Sequence, residues 1–192
     1  MASTAYITKV LDLYAADLIS IQREEAGIAD TQNSLDLQNS INRMWRIITN
    51  KDQAHLANQL TDLAGIAFEL LAVMRDTSIA EVISEALSLH HRKNAGYAGH
   101  SNDPWANFRL ATLFGVTPSQ GVLVRLSDKY SRLQSLQASA NNDQVGESYN
   151  DTLADFAAYC LIAVCLLEEE ADAKESTLAY MTITPNAGRN TP

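Results

Sequence analysis

Glu147, Asp151 and Asp155 stand four residues apart in a stretch of helical period. They therefore share one stripe of a helix, about 80° wide from first to last. Carboxylates grouped in this way suit Mg²⁺, a hard cation that takes oxygen ligands and bridges to substrate phosphates. Acids in the first turns of a helix are also stabilised by its dipole without any ligand, so both readings stand. Asp155 presses the question hardest. It precedes residues 156–167, twelve residues without a charge, and an ionised carboxylate out of water needs a cation, a metal or several donors.

A second charged face precedes the first. Arg125, Asp128, Lys129 and Arg132 fall at i, i+3, i+4 and i+7, one side of a helix. Guanidinium groups spaced this way can grip a phosphate bidentately, and the same face can be a solvated ladder or a buried Arg–Asp–Arg network directed at the acidic stripe. Upstream, Lys93, Asn94 and Tyr97, then Asp103, Trp105, Asn107, Phe108 and Arg109, mix aromatic platforms with amides and cations. A nucleobase could stack on Tyr97 or Trp105 and be read by Asn94 or Asn107, whose amides both donate and accept. Asp103 is equally explained as a helix cap, and Trp105 with Phe108 as core.

Other polar groups carry weaker signals. His55, Asp62, Glu69 and Asp76 recur at seven-residue steps, which a solvent-facing stripe explains, although Asp62 and Glu69 interrupt an apolar run. Glu81 and Glu85 form an i, i+4 pair. His90, His91 and His100 lack companion cysteines or a His-Glu-x-x-His pattern, which argues against zinc. No glycine-rich phosphate loop is present.

Helices must position these groups. Period-3.6 patterns run over residues 5–23, 37–50 and 52–75, with Gly27 breaking the first from the second. Ser78 and Glu81 make a capping box that opens a helix to about Lys93, followed by a loop at Gly96 and Gly99. Asp103-Pro104 restarts helix, Gly115 ends it, and Thr117-Pro118-Ser119-Gln120 caps a further helix to about Ala138. The last helix is expected over residues 145–173, and residues 182–192 read as a disordered tail. No stretch alternates at period two. The expectation is an all-α fold of about seven helices, a bundle or irregular array in one domain over residues 1–181.

Composition narrows the partners. The 192 residues carry a formal charge of −9, which opposes duplex nucleic acid but leaves a free nucleotide open. Cys160 and Cys165, five apart on one helix, cannot pair and read as buried thiols. The opening residues do not resemble a secretory signal and the twelve-residue apolar run is too short to span a bilayer, so a cytosolic protein with no membrane partner is expected.

The motif-bearing residues resemble the phage-encoded nucleotide modification associated domain family. Lys93-Asn94 with Tyr97 matches its Lys-Asn-x-x-Tyr segment, and Asp103-Pro104 with Asn107-Phe108 its Asp-Pro-x-x-Asn-Phe segment. Arg125, Asp128, Lys129 and Arg132 match its Arg-x-x-Asp-Lys-x-x-Arg helix. Glu147-Ser148, Asp151-Thr152, Asp155 and Tyr159 match its closing helix. The resemblance covers about residues 85–167. It implies a nucleotide held by Lys93, Asn94, Tyr97, Asn107, Arg125, Lys129 and Arg132, with Mg²⁺ on Glu147, Asp151 and Asp155.

The family is similar in outline to all-α MazG-type nucleoside triphosphate pyrophosphatases, whose acids lie three apart where these lie four apart. Three readings follow: Mg²⁺-dependent phosphoanhydride hydrolysis, sequestration of a host-immunity nucleotide signal by a small homo-oligomer, or a structural helical oligomer with a buried ion-pair network.

Overall fold

A computed structural model describes residues 31–49, 55–98, 103, 105–138 and 148–183. Among the described residues there are six α-helices and no strand: α1 (Thr31–Thr49), α2 (Leu56–Arg75), α3 (Ile79–Ala98), α4 (Ala106–Arg109), α5 (Pro118–Ala138) and α6 (Tyr149–Ile183). A 3-10 turn, Leu110–Phe114, joins α4 to α5. The fold is all-α, as the periodicity requires. The expected helix over residues 5–23 and the tail from residue 184 lie outside the described residues.

The central pair is α2 against α6. Both carry small residues where they are buried, Ala64, Gly65 and Ala67 on α2 and Ala157 and Ala163 on α6, and small side chains let helices pack closely. Phe68, Leu60, Leu63 and Leu71 of α2 join Leu153, Phe156 and Leu166 of α6 in one core. The first half of α6 is buried around most of its circumference, in keeping with the uncharged run at residues 156–167. Apolar burial on this scale, about 25 cal/mol per Å², is the main force closing the bundle.

Pair contacts fix helix directions. Tyr149 donates a hydrogen bond to Gln38, and Trp45 lies against Phe156 at 6.1 Å between ring centroids. Both chains advance seven residues between these contacts, so α1 runs parallel to α6. By contrast α5 is antiparallel to α6, since Ser119 meets Glu170 while Lys129 meets Asp155. Trp45 of α1 stacks on Tyr130 of α5 at 4.4 Å and 16°, and Asn42 accepts from Gln134 at 2.8 Å.

The caps follow the sequence with instructive exceptions. Ser78 accepts from the Glu81 amide at 3.2 Å, but the Glu81 carboxylate accepts from the Thr77 hydroxyl instead of reaching back to Ser78. Thr117 and Gln120 form the full reciprocal box, 3.3 Å and 2.9 Å. Helix α2 ends on Asp76 in the left-handed region, φ 51°, with the Thr77 amide donating to the Ala72 carbonyl at 3.1 Å. An aspartate here does what glycine usually does.

Two expected boundaries move. Helix α3 continues through Gly96 to Ala98, since a single glycine costs a helix only about 1 kcal/mol. Helix α6 runs to Ile183, ten residues past the expected end, because residues 168–179 are strong helix formers with no glycine or proline to stop them.

Two helices, Leu56–Arg75 and the Tyr149–Ala179 stretch, are long and apolar enough to cross a membrane, and more than half of each apolar stretch is buried within the bundle. The second exceeds what the uncharged run alone suggests because the stretch before that run, from residue 150, adds only two charges, Asp151 and Asp155.

Candidate functional site

Three of the four motif segments meet where α4, α5 and α6 converge. Phe108, from the short α4, is buried and forms the floor. Tyr159 of α6 meets it edge-on, with ring centroids 6.3 Å apart at 88°, and Trp105 packs on its other side at 6.4 Å. Above the ring lies the Arg125 guanidinium of α5, its carbon 5.4 Å from the ring centroid. The cation is attracted by the negative face of the ring while its donors stay in solvent, because Arg125 is exposed.

One turn further along α5, Lys129 Nζ lies 3.0 Å from Asp155 Oδ2. Both side chains are mostly shielded, at 21% and 16% exposure, so the attraction is less screened than at a surface pair. This is the partner that the sequence demanded for Asp155. Asn107 precedes Phe108 on α4, and its side-chain Oδ1 is buried and has no hydrogen-bond partner among the described residues. A buried acceptor left in that state costs about 1–3 kcal/mol, which a bound donor would recover.

The margin of the site is braced by carboxylates. Asp103 Oδ1 accepts from the Trp105 amide at 3.0 Å and Oδ2 from Arg109 Nε at 2.5 Å. Arg109 Nη2 also reaches both oxygens of Glu169 on α6, at 2.8 and 3.0 Å. These bonds raise the Arg109 pKa, with the Asp103 hydrogen bond as the largest cause, so the guanidinium is a fixed cation that ties α4 to α6. Its role is bracing.

The structure separates other predicted residues. Arg132 is half-buried two turns along α5 from Arg125. Asp128 is exposed, as is Arg125, so the expected buried Arg–Asp–Arg network does not form. The reason is register: α5 turns Leu126 and Leu133 into the core, which leaves positions 125 and 128 outward. Asp151 is exposed and serves the start of α6. Its carboxylate accepts from the Ser148 hydroxyl at 2.7 Å, and its amide donates to Ser148 Oγ at 3.1 Å. The Ser148 oxygen thus caps the helix, while the carboxylate turns to the Ser148 hydroxyl instead of its backbone amide.

Glu147 and the side chains of Lys93, Asn94, Tyr97, His90, His91 and His100 lie outside the described residues. Among the described residues no three His, Cys, Asp or Glu side chains group to hold a metal ion. Of the acidic stripe, Asp151 Oδ2 accepts from the Ser148 hydroxyl and Asp155 Oδ2 meets Lys129.

Sequence reasoning missed two polar contacts. Glu170 reaches the start of α5, accepting from the Ser119 amide at 2.9 Å and the Ser119 hydroxyl at 2.7 Å. A carboxylate at a helix N-terminus completes amides that have no helical partner. The run Glu168-Glu169-Glu170 reads as solvated helix, and only the antiparallel α5–α6 register reveals the contact. At the opposite end of the bundle Gln38 is buried with its Nε2 unpartnered beside Tyr149, whose hydroxyl pKa is pushed up to about 12 chiefly by burial.

Of the remaining candidates, Arg75 pairs with Glu85 at 2.6 Å on the surface. His55, Asp62 and Asp76 are exposed and Glu69 half-buried, the pattern of a solvent-facing stripe. Cys160 and Cys165 are buried free thiols, and burial pushes Cys165 up to about 12 and Cys160 higher still.

Comparison with known proteins finds no matching family model, no similar curated protein and no similar solved structure.

Proposed function

We propose that the α4–α5–α6 junction binds a phosphorylated nucleotide, with Arg125 and Lys129 facing phosphate and Asn107 available to a donor on the ligand. The observation that carries this reading is the exposed Arg125 guanidinium seated over the buried Phe108 ring, one turn from the shielded Lys129–Asp155 pair. An arginine whose guanidinium already rests over an aromatic ring loses less freedom when it grips a phosphate bidentately. The likeness of residues 85–167 to the phage nucleotide modification associated domain family supports the same ligand class. Arg132 would extend the cationic face, and the resemblance gives Lys93, Asn94 and Tyr97 a part in holding the nucleotide.

Binding without hydrolysis is the first reading. Mg²⁺ chemistry on Glu147, Asp151 and Asp155 would have to use carboxylates that already hold Lys129 and Ser148, whereas capture of a nucleotide asks nothing of them. A phage protein acting this way in the host cytosol would withhold a nucleotide signal of host defence, and a homo-oligomer would multiply its capacity.

A structural reading also has an observation in its favour. Lys129–Asp155, Arg109–Glu169 and Ser119–Glu170 all fasten α6 to its neighbours, and buried ion pairs can specify packing. The double variant Lys129→Met with Asp155→Leu separates the two readings. If the pair serves a ligand, this apolar replacement keeps or raises stability and lowers nucleotide affinity.

The direct test is thermal shift against mono-, di-, tri- and cyclic nucleotides, with and without Mg²⁺, followed by chromatography of each stabilising compound. Stabilisation with recovery of the intact nucleotide is expected. Recovery of a cleaved product would make the protein a hydrolase, and no stabilisation by any nucleotide would favour the structural reading.

A further inference from the structure

The 3-10 turn between α4 and α5 carries large apolar side chains into solvent. Phe114 is 85% exposed and Leu113 76%, with Leu110 and Val116 beside them and Val124 exposed one turn beyond Gly121 on α5. The turn is fixed in place. Gly115 takes φ 75° and donates to the Thr112 carbonyl at 3.1 Å, and the Thr112 hydroxyl donates to the Arg109 carbonyl at 2.7 Å. Ala111 sits so close to α5 that a Cβ on Gly121 would lie 2.8 Å from its methyl. A rigidly mounted apolar knob of this kind marks an interaction site more often than chance exposure does.

An acidic helix leaves the body at the base of this knob. Arg109 holds Glu169 and Ser119 holds Glu170, which anchors the point where α6 emerges, and residues 171–179 are exposed on every side. Residues 168–175 contain five acids and one lysine.

We infer that the Leu110–Phe114 turn and the adjoining acidic extension of α6 form a docking surface for a protein segment with an apolar face and a basic rim. Charge selects this occupant. A second copy carries −9 of its own and would set acid against acid. Residues 1–30 of the chain hold two lysine or arginine residues against five acids, so they are no better matched. An anionic membrane surface is repelled by the same rim. A basic amphipathic helix buries its apolar face on Leu113 and Phe114 while its cations meet Asp172 and Glu175, and complementary charge also speeds encounter. This surface is separate from the proposed nucleotide site and does not depend on it.

The test uses the full chain and three labelled synthetic 18-residue amphipathic peptides, built from Leu with Lys, Leu with Gln or Leu with Glu, read by fluorescence anisotropy. The Leu/Lys peptide is expected to bind, more weakly as salt rises. The double variant Leu113→Ser, Phe114→Ser should weaken it at least tenfold, with helix content and melting temperature retained because both side chains are already in water. Asp172→Lys with Glu175→Lys should weaken it comparably. Equal binding by the Leu113→Ser, Phe114→Ser variant, or equal binding of the Leu/Gln peptide, would overturn the inference. So would absence of binding by the Leu/Lys peptide. Self-association in sedimentation velocity that is lost in the same variant would assign the knob to a second copy. Phe114-dependent binding to phosphatidylcholine–phosphatidylserine vesicles would assign it to a membrane. Either result overturns the protein-segment reading.

Discussion

Helix α6 is two helices in one. Over its first half, residues 149–167, nearly every side chain is buried or half-buried against α1, α2 and α5, and the only acid that points inward is met by Lys129. Over residues 171–179 every side chain is exposed, and helix there draws on local propensity more than on core burial. Packing dictates side-chain identity in the first half and leaves it nearly free in the second. The boundary between them is where Glu169 and Glu170 are gripped by α4 and α5. The candidate site lies beside the rigid half, which can hold Tyr159 and Asp155 in register, while the exposed half offers charge.

The contrast predicts a graded response to substitution, and the largest loss belongs to the buried half. Phe156→Ala should cost about 3–5 kcal/mol of stability, since it empties a fully buried aromatic site that also touches Trp45 and Tyr130. Urea denaturation measures it. A loss near 1 kcal/mol would mean that the two halves differ less than their burial implies.

Alkaline pH should reach the same half. Cys160 and Cys165 hold their protons when folded, Cys165 to about 12, but ionise near 9.0 when unfolded. Above pH 9 the unfolded state therefore binds fewer protons, and stability should fall as pH rises, by about 1.4 kcal/mol per pH unit for each thiol. Below pH 9 their contribution should be constant. The double variant Cys160→Ala, Cys165→Ala should flatten the slope between pH 9 and about 12, leaving a smaller part from Tyr149 and Tyr130.

At the boundary, Glu170→Ala should cost about 1–2 kcal/mol, because it removes the acceptor of the buried Ser119 amide and leaves the Ser119 hydroxyl only its Thr117 partner. Glu170→Gln should recover part of that loss. In the exposed half, Lys174→Ala should change stability by less than about 0.5 kcal/mol. A larger effect would show that the two halves of α6 differ less than their exposure implies.

Much of this architecture could be read from the residues. The helical class, the Pro118–Ala138 helix with its Thr117–Gln120 box, the Gly115 stop and the core roles of Trp105 and Phe108 all follow from local chemistry. So did the need of Asp155 for a partner. What could not be read was which partner, because Lys129 lies twenty-six residues upstream on another helix and only the antiparallel register of α5 and α6 brings it within 3.0 Å. The same register hid Glu170 at the start of α5. Arg125 and Asp128 have identical local signals whether buried or exposed, and the choice fell to Leu126 and Leu133. The helix ends at Ala98 and Ile183 were missed because a single glycine and an acidic, alanine-containing run are weak stop signals beside the cooperativity of a helix already formed.

The central claim is that Arg125, held over Phe108, receives the phosphate of a bound nucleotide. Calorimetric titration of the best-stabilising nucleotide into the wild-type chain, Arg125→Lys and Arg125→Ala tests it most directly. A planar guanidinium held over the ring predicts a loss of tenfold or more in both variants, with lysine only partly rescuing because it cannot bind bidentately, and with melting temperature unchanged since the side chain is exposed. Nucleotide affinity equal to wild type in Arg125→Ala would contradict the site.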